Sequence, residues 1–489
     1  MKARWARWTG AVIAAAWVAA AVYFANRALP PALRLHTAAQ IVPADSVTFL
    51  ADITGADAYG HGFSSHAIFD SMLRSIGQAR SLVVLDCHWC TDRQRAAPDA
   101  IAALSPMGAQ LTAALLARKA ALPSLQVLVI ADPVNGLYGS APPPQFAQLR
   151  AAGIAVVGAD LTRLRDRNVL YSPLWRALFQ WWSPGEGGGG WLPNPYSDAG
   201  PPLTLRAWAQ LATLKSANRR VLIADDGRGS LLAYTGSVQP ALAYSTDTVT
   251  ALSVSGPAVV PLLRSELDLA RAFGWTGTLV APAAPATRLA AATVLRFQWL
   301  GAGAIRDELL DHIGATGRGD SIDIASESLS DRALIAALLA ASRREVTVRL
   351  ILDPHKSSSL WSSANQVVGS ELIAASDGRI RLAWYRTHSE RFGAALVLIH
   401  GLGPAWLLSG SAALTRRDLG DYDSTLDAAL SGPAEAAPLG AAQQFFDTLW
   451  NDRGPPGIEY TADADTWTDP SQLRYWTYRF MELVGMSRT

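Results

Sequence analysis

"GAALVLIHG", Gly393 to Gly401, repeats "NRRVLIADD", Asn218 to Asp226, and the rest of the chain falls into place around that pair. Downstream, "AWLLSGSAALT" (405–415) echoes "LLAYTGSVQPA" (231–241). Upstream, "VTVRLILDPHK" (346–356) echoes "LQVLVIADPVN" (125–135), each a strand-like run ending in Asp-Pro. Further upstream, "HIGATGRGDSIDIAS" (312–326) echoes "SIGQARSLVVLDC" (75–87), each reading as helix end, turn and buried strand. Segments of helical period lie between, such as "SDRALIAALLAASRRE" (330–345), where Ser330 or Asp331 can cap the first turn. Short β-rich runs alternating with helices predict an α/β fold with a mixed, mostly buried sheet flanked by helices. Two such domains in tandem, 28–256 and 257–455, would pack as a pseudo-dimer joined near Pro257 to Pro285, with a C-terminal aromatic tail at 456–489.

Composition narrows the function. The chain has 489 residues, enough for two sizeable cores. A net charge of +1 argues against a nucleic-acid binder working through a broad basic surface. Seventeen tryptophans suit either a large aromatic core or contact with a membrane interface. The N-terminus, "MKARWARWTGAVIAAAWVAAAVYFANRALPPAL", places Lys2, Arg4 and Arg7 before an apolar run from Gly10 to Ala25. Sixteen helical residues span about 24 Å, slightly short of a ~30 Å hydrocarbon core, and Trp8, Trp17 and Tyr23 could extend the run into the interface. Residues 1–27 read as a signal anchor or a signal peptide, the anchor being favoured. The basic flank would keep the N-terminus in the cytoplasm and put the globular part outside, in a periplasm, or free if the signal is cleaved. The only cysteines, Cys87 and Cys90 in "VVLDCHWCTD", suit a disulfide in an oxidising compartment. A redox pair is the alternative, and zinc lacks two further ligands at sensible spacing. No metal or cofactor is expected.

The halves are unequal. Asn218 lies 86 residues after Asp132, whereas Gly393 lies 40 after Asp353. The excess falls near 160–205 and holds "SPLWRALFQWWSPGEGGGGWLPNPYSDAGPP", with an apolar stripe of Trp175, Leu178, Phe179 and Trp182. It reads as a packed surface insertion, or as a lid or membrane-dipping element. "DPSQLRYWTYRFMELVG" (469–485) predicts a helix whose stripe of Leu473, Trp476, Phe480 and Leu483 packs onto the second domain, with lipid as the alternative.

Ser64 to Asn451 resembles the phospholipase D superfamily, in particular its two-domain bacterial members, which include cardiolipin synthase-like proteins. In that family each half supplies His-x-Lys, then Asp, then Gly-Ser. One histidine attacks phosphorus, the other protonates the leaving alcohol, lysines and serines hold phosphate oxygens, and the aspartates can orient a histidine. The matching positions here are Asn218, Arg220, Asp225 and Gly236–Ser237 in half one, and Gly393, Ala395, His400 and Gly410–Ser411 in half two. Both His-x-Lys motifs are therefore degenerate. None of the eight histidines has a lysine two residues on. An amide neither attacks phosphorus nor donates a proton near pH 7, and losing a nucleophile removes roughly 10⁴-fold or more in rate. The resemblance then implies a pseudoenzyme of the phosphodiesterase fold, membrane-anchored, binding a phospholipid headgroup or another phosphorylated small molecule through Asn218, Arg220, Ser237 and Ser411. Two alternatives stay open. One is an active phosphodiesterase or phosphatidyltransferase using a recruited histidine such as His388 or His400. The other is a scaffold whose site is plugged, Arg220 pairing with Asp225 or another carboxylate. His355, His61 and His66 read as loop or capping residues.

Overall fold

Leu82–Cys87, Gln126–Ala131 and Ala155–Gly158 are parallel neighbours. The strand after the long excursion, Val221–Asp225, returns antiparallel against Leu82–Cys87. In the computed structural model, which describes residues 2–57, 62–92, 106–182, 189–197, 200–241, 246–280, 293–354, 364–388 and 390–487, two sheets are built on this plan. The first runs in the order Val47–Asp52, Val249–Ser255, Leu231–Gly236, Val221–Asp225, Leu82–Cys87, Gln126–Ala131, Ala155–Gly158. The second has the inner run Val294–Gly301, Ser424–Gly432, Ala405–Gly410, Ala395–His400, Ser321–Ser326, Thr347–Leu352, Ile380–Tyr385, with Gln40–Pro43 and Thr461–Asp463 added at its edges. The two orders match strand for strand, so the expected α/β tandem is present. Every side chain of Leu82–Cys87, Val221–Asp225 and Ala405–Gly410 is buried or nearly so, as central strands covered on both faces require. His61 and His355 lie outside the described residues.

The halves share structure as well as plan. Gln40–Pro43 precedes the first sheet in the chain but pairs with Val294–Gly301 at the edge of the second. One hydrophobic cluster joins Leu252 and Val254 of the first half to Phe297, Leu398 and Phe446 of the second. Hydroxyls stitch the seam: Thr250 Oγ1 donates to Ala395 O and Thr235 Oγ1 donates to Leu426 O. Helix Val259–Ala272 occupies the region where the sequence suggests a junction, and it follows the first sheet as Ala437–Trp450 follows the second. The Asp331 cap forms as expected, its carboxylate accepting from Ala333 N and Leu334 N.

Two apolar stripes turn out differently. Helix Gln472–Val484 packs on the body through Tyr478, Met481 and Val484. The stripe expected to do so faces outward, with Leu473, Trp476, Phe480 and Leu483 between 57% and 73% exposed. Both faces of this helix carry large apolar groups, so periodicity alone could not choose between them. In the insertion, Trp175 is buried while Leu178, Trp181 and Trp182 are exposed. Helix Lys2–Asn26 contains the only window among the described residues long and apolar enough to cross a membrane, Arg7–Asn26, and that window is not buried in the protein.

Candidate functional site

The two motif strands are seated by matching backbone anchors. The Asp-Pro aspartates accept from the residue just before each motif: Asp132 Oδ2 from Ala217 N, and Asp353 Oδ2 from Phe392 N. One residue earlier, Asp423 accepts from Ser216 N and Oγ, and Asp247 from Arg391 N and Nε. Each motif also reaches across the seam. Ala217–Asn218 runs parallel to Ser424–Thr425, and Phe392 forms a parallel bridge with Thr248. Asn218 and Gly393 thus hold equivalent places, and the sequence alignment of the motifs is also a register in space.

The serines obey the same symmetry. Ser237 Oγ donates to Thr250 O and accepts from Thr250 N; Ser411 Oγ donates to Leu426 O and accepts from Leu426 N. Each hydroxyl has one proton, and here that proton is directed at backbone. Ser411 borders the cavity described next; the Ser237 side chain does not.

Between the halves lies a cavity of about 340 Å³, bordered by Asn218, Arg220 and Ser411. Arg220 donates from Nε to Asn218 Oδ1 at 2.7 Å and from Nη1 to Ser237 O at 2.6 Å. Its φ of 54° interrupts the strand between Asn218 and Val221, whereas its counterpart Ala395 continues into the strand it opens. A left-handed non-glycine residue costs roughly 1–2 kcal/mol, so the bend that aims this guanidinium is held by its surroundings. In half two the corresponding space is crowded. A Cβ on Gly393 would meet the Arg391 guanidinium and Val249 at 3.3 Å. Arg391 is fixed there by Asp247 and by Glu327 at 2.9 Å.

Other members of the sequence set lie elsewhere. Asp225 ends its strand far from Arg220. Its carboxylate accepts from the backbone N–H groups of Arg80, Ser81, Leu82 and Gly227 and from the Ser81 hydroxyl. Burial alone would raise its pKa, but the bonds from Ser81, Leu82 and Arg80 more than offset that and hold it below the usual carboxylate range. Asp225 therefore fastens a turn; it orients no histidine and is not the partner that fixes Arg220. His400 ends the equivalent strand opposite Ser321, with Nε2 buried and unbonded, and does not border the cavity. His388 is partly exposed, 3.5 Å from Glu390.

The cavity also gathers residues that sequence reading passed over. Lys215 lies on the Asn218 side, ion-paired with Asp166 and donating to Leu161 O and Leu164 O. Arg417 is paired with Asp423 at 2.8 Å. Arg167 comes from the insertion and is 4% exposed. Its Nη1 is buried with no hydrogen-bond partner, and burial, then the nearby Arg417, bring its pKa down to about 10, so it stays charged near pH 7. Tyr196 of the same insertion meets Trp89 edge to face, 5.0 Å between centroids, and helps wall the cavity. His88 borders the cavity with Nδ1 3.6 Å from Asp132 Oδ2. It sits between Cys87 and Cys90, which form a disulfide. One signal was available for His88, since it follows the carboxyl end of a central strand, where α/β sheets place ligands. Nothing local marked Arg167.

Residues 309–450 match the family model described as cardiolipin synthase, PLD-like domain. No curated protein matches the chain. Among solved structures, phosphatidylserine synthase from Haemophilus influenzae Rd KW20 is similar over 94% of this chain and 98% of its own, with TM-score 0.55 and 9% identity. Polyphosphate kinase from Porphyromonas gingivalis matches 90% of this chain and 53% of its own at TM-score 0.45 and 12% identity. Nuc, a phospholipase D family member from Salmonella typhimurium, matches 32% of this chain and 93% of its own at TM-score 0.23 and 18% identity. The first of these likenesses shows the fold across both halves, and the family model places a phospholipase D-like domain in the second.

Proposed function

We propose that this member of the phospholipase D superfamily is a membrane-tethered protein that binds a phosphorylated ligand, a phospholipid headgroup, in the cavity between its halves without the family's hydrolytic chemistry. One observation carries the reading. At the two symmetric positions where the chemistry needs histidine stand an amide, Asn218, which borders the cavity, and a glycine, Gly393, whose Cβ would crowd the cavity-lining Arg391 at 3.3 Å. Charge suited to a phosphate remains, in Arg220 and in the unbonded Nη1 of Arg167. Both the family model and the synthase of similar fold are named for phospholipid chemistry, which supports a lipid headgroup as the ligand. Helix Lys2–Asn26 supplies the tether, with the globular part on the outer side of the membrane.

The test uses the full chain in detergent with short-chain phospholipids, following headgroup release and equilibrium binding in the same samples. Binding without release, weakened about tenfold or more by Arg220→Ala and by Arg167→Ala, is the expected result. Release above the Arg220→Ala background would overturn it. A specific observation favours that second outcome enough to name its agent. His88 borders the cavity with its Nδ1 3.6 Å from Asp132 Oδ2, not hydrogen-bonded to it but near enough for the carboxylate to orient the ring after a small shift. His88→Gln should leave binding intact in the proposed reading and abolish release in the alternative. No binding and no release would leave a scaffold with a filled site.

A further inference from the structure

On the other side of the segment that carries Arg167 lies a second, more open cleft of about 470 Å³. Arg165, Arg306, Arg332, Arg416 and Arg479 border it, against the carboxylates of Asp331 and Glu482. Helix Arg416–Leu419 divides the two spaces, Arg416 facing this cleft and Arg417 facing the cavity between the halves. Several of the arginines are already engaged. Arg332 is paired with Glu371, Arg165 with Asp421, and Arg416 holds the carbonyl ends of the C-terminal helix. Arg306 and Arg479 are less committed. Arg306 Nε stands 3.4 Å from Asp331 without a hydrogen bond, and Arg479 donates to the Tyr475 hydroxyl and lies over that ring.

Three features of this surface and of the segments joined to it point to what the cleft faces. Leu483 borders it and continues into the exposed stripe of Phe480, Trp476 and Leu473 on the same helix. Trp181, Trp182 and Trp191 of the insertion are also exposed. The end of the membrane helix is tied to this region: Asp166 N donates to Phe24 O, Arg165 Nε donates to Arg27 O, and Arg176 lies 4.1 Å over the Phe24 ring. Val169 N donates to Val484 O, which joins the same segment to the C-terminal helix. A stripe of tryptophan, phenylalanine and leucine beside clustered arginines, fixed to the root of a membrane helix, has the chemistry of a bilayer interface. Apolar and aromatic groups enter the headgroup–acyl boundary, and guanidinium groups meet the phosphates.

We propose that this face docks on the surface of the bilayer that holds helix Lys2–Asn26. The Leu473–Trp476–Phe480–Leu483 stripe lies in the interface, and the arginine cleft takes the phosphate of an anionic phospholipid. The inference relies on the membrane tether and not on ligand binding in the cavity between the halves. Docking would hold the globular part against the membrane rather than letting it swing on its tether.

The test reconstitutes the full chain in vesicles of phosphatidylcholine alone or with about one third phosphatidylglycerol. A fluorophore is placed at Phe480→Cys, the native cysteines being joined in a disulfide. Quenching by a spin-labelled lipid at interfacial depth reads docking. Strong quenching is expected in the anionic vesicles. Raising salt or introducing Arg306→Gln with Arg479→Gln should weaken it, each arginine contributing about fivefold. Trp476→Ser with Leu473→Ser, at exposed positions, should weaken it without loss of folding by thermal unfolding. Soluble glycerol phosphate that displaces the probe as well as the lipid does would show a free-phosphate site and overturn the docking claim. So would an unquenched probe, or equal quenching in neutral vesicles and in the arginine variant. Arg220→Ala should leave quenching unchanged, which separates this outcome from failure of the cavity reading.

Discussion

Asp225→Asn gives the sharpest test of what the surviving motif aspartate does. In the wild type, Oδ2 accepts from Ser81 N at 2.6 Å, Leu82 N at 2.9 Å and Ser81 Oγ at 2.9 Å, Arg80 N is shared between the two oxygens at 2.9 Å from each, and Oδ1 also accepts from Gly227 N at 3.0 Å. An asparagine of the same shape turns one oxygen into a donor. With the amide nitrogen placed at the less crowded Oδ1 site, Gly227 N loses its acceptor, a cost of about 1–3 kcal/mol. The bonds at Oδ2 lose their charge assistance and drop to roughly half strength. The sum is about 3 kcal/mol, read as a fall of several degrees in the unfolding midpoint of the full chain in detergent at pH 7. Because the folded-state pKa is depressed, the wild-type advantage is present above the unfolded value near 3.8 and is lost as pH falls through the folded pKa. The gap between wild type and variant should therefore close only in strong acid. Phospholipid affinity below the transition should stay within twofold. An unchanged midpoint, or lost affinity with the midpoint intact, would refute the structural role.

Three further outcomes follow from the same geometry. Gly393→His should give no hydrolysis, because the new ring would crowd Arg391, which Asp247 and Glu327 hold in place; a lower unfolding midpoint with no headgroup release is expected. Asp427, beside the Gly410–Ser411 corner, is raised by burial to about 7, so its proton is kept on folding and its contribution is complete below about pH 4 and lost as pH climbs toward 7. Asp427→Asn should keep the Ala412 N bond and be the more stable protein at pH 8 by on the order of 4 kcal/mol, a difference that shrinks as pH falls to 4 in unfolding measured across that range. Arg219→Met should cost about 3–5 kcal/mol by denaturant unfolding, since it leaves Glu266 buried without the guanidinium that pairs with it at 2.9 Å.

Local sequence determined the strands, their repeat and one helix cap. A run such as Leu82–Cys87 is buried on both faces, so its hydrophobicity is continuous and readable without knowing its neighbours. The equivalence of the two motif strands was legible for the same reason, because spacing along a strand carries over directly into space. The paired arginines of "NRRVLIADD" part where the left-handed Arg220 breaks the strand: Arg220 borders the cavity beside Asn218, and Arg219 meets Glu266 in the core, a division that strand period alone does not give. What the tertiary structure decided are contacts between distant segments. Arg167 enters the cavity from an insertion with no counterpart in the other half, and Asp225 is explained by N–H groups 143 to 145 residues away. The C-terminal helix offered two apolar faces, and only the shape of the surface receiving it selected Tyr478, Met481 and Val484 for burial. Helical period records which residues share a face; the partner that covers a face is set by the packing of the whole chain.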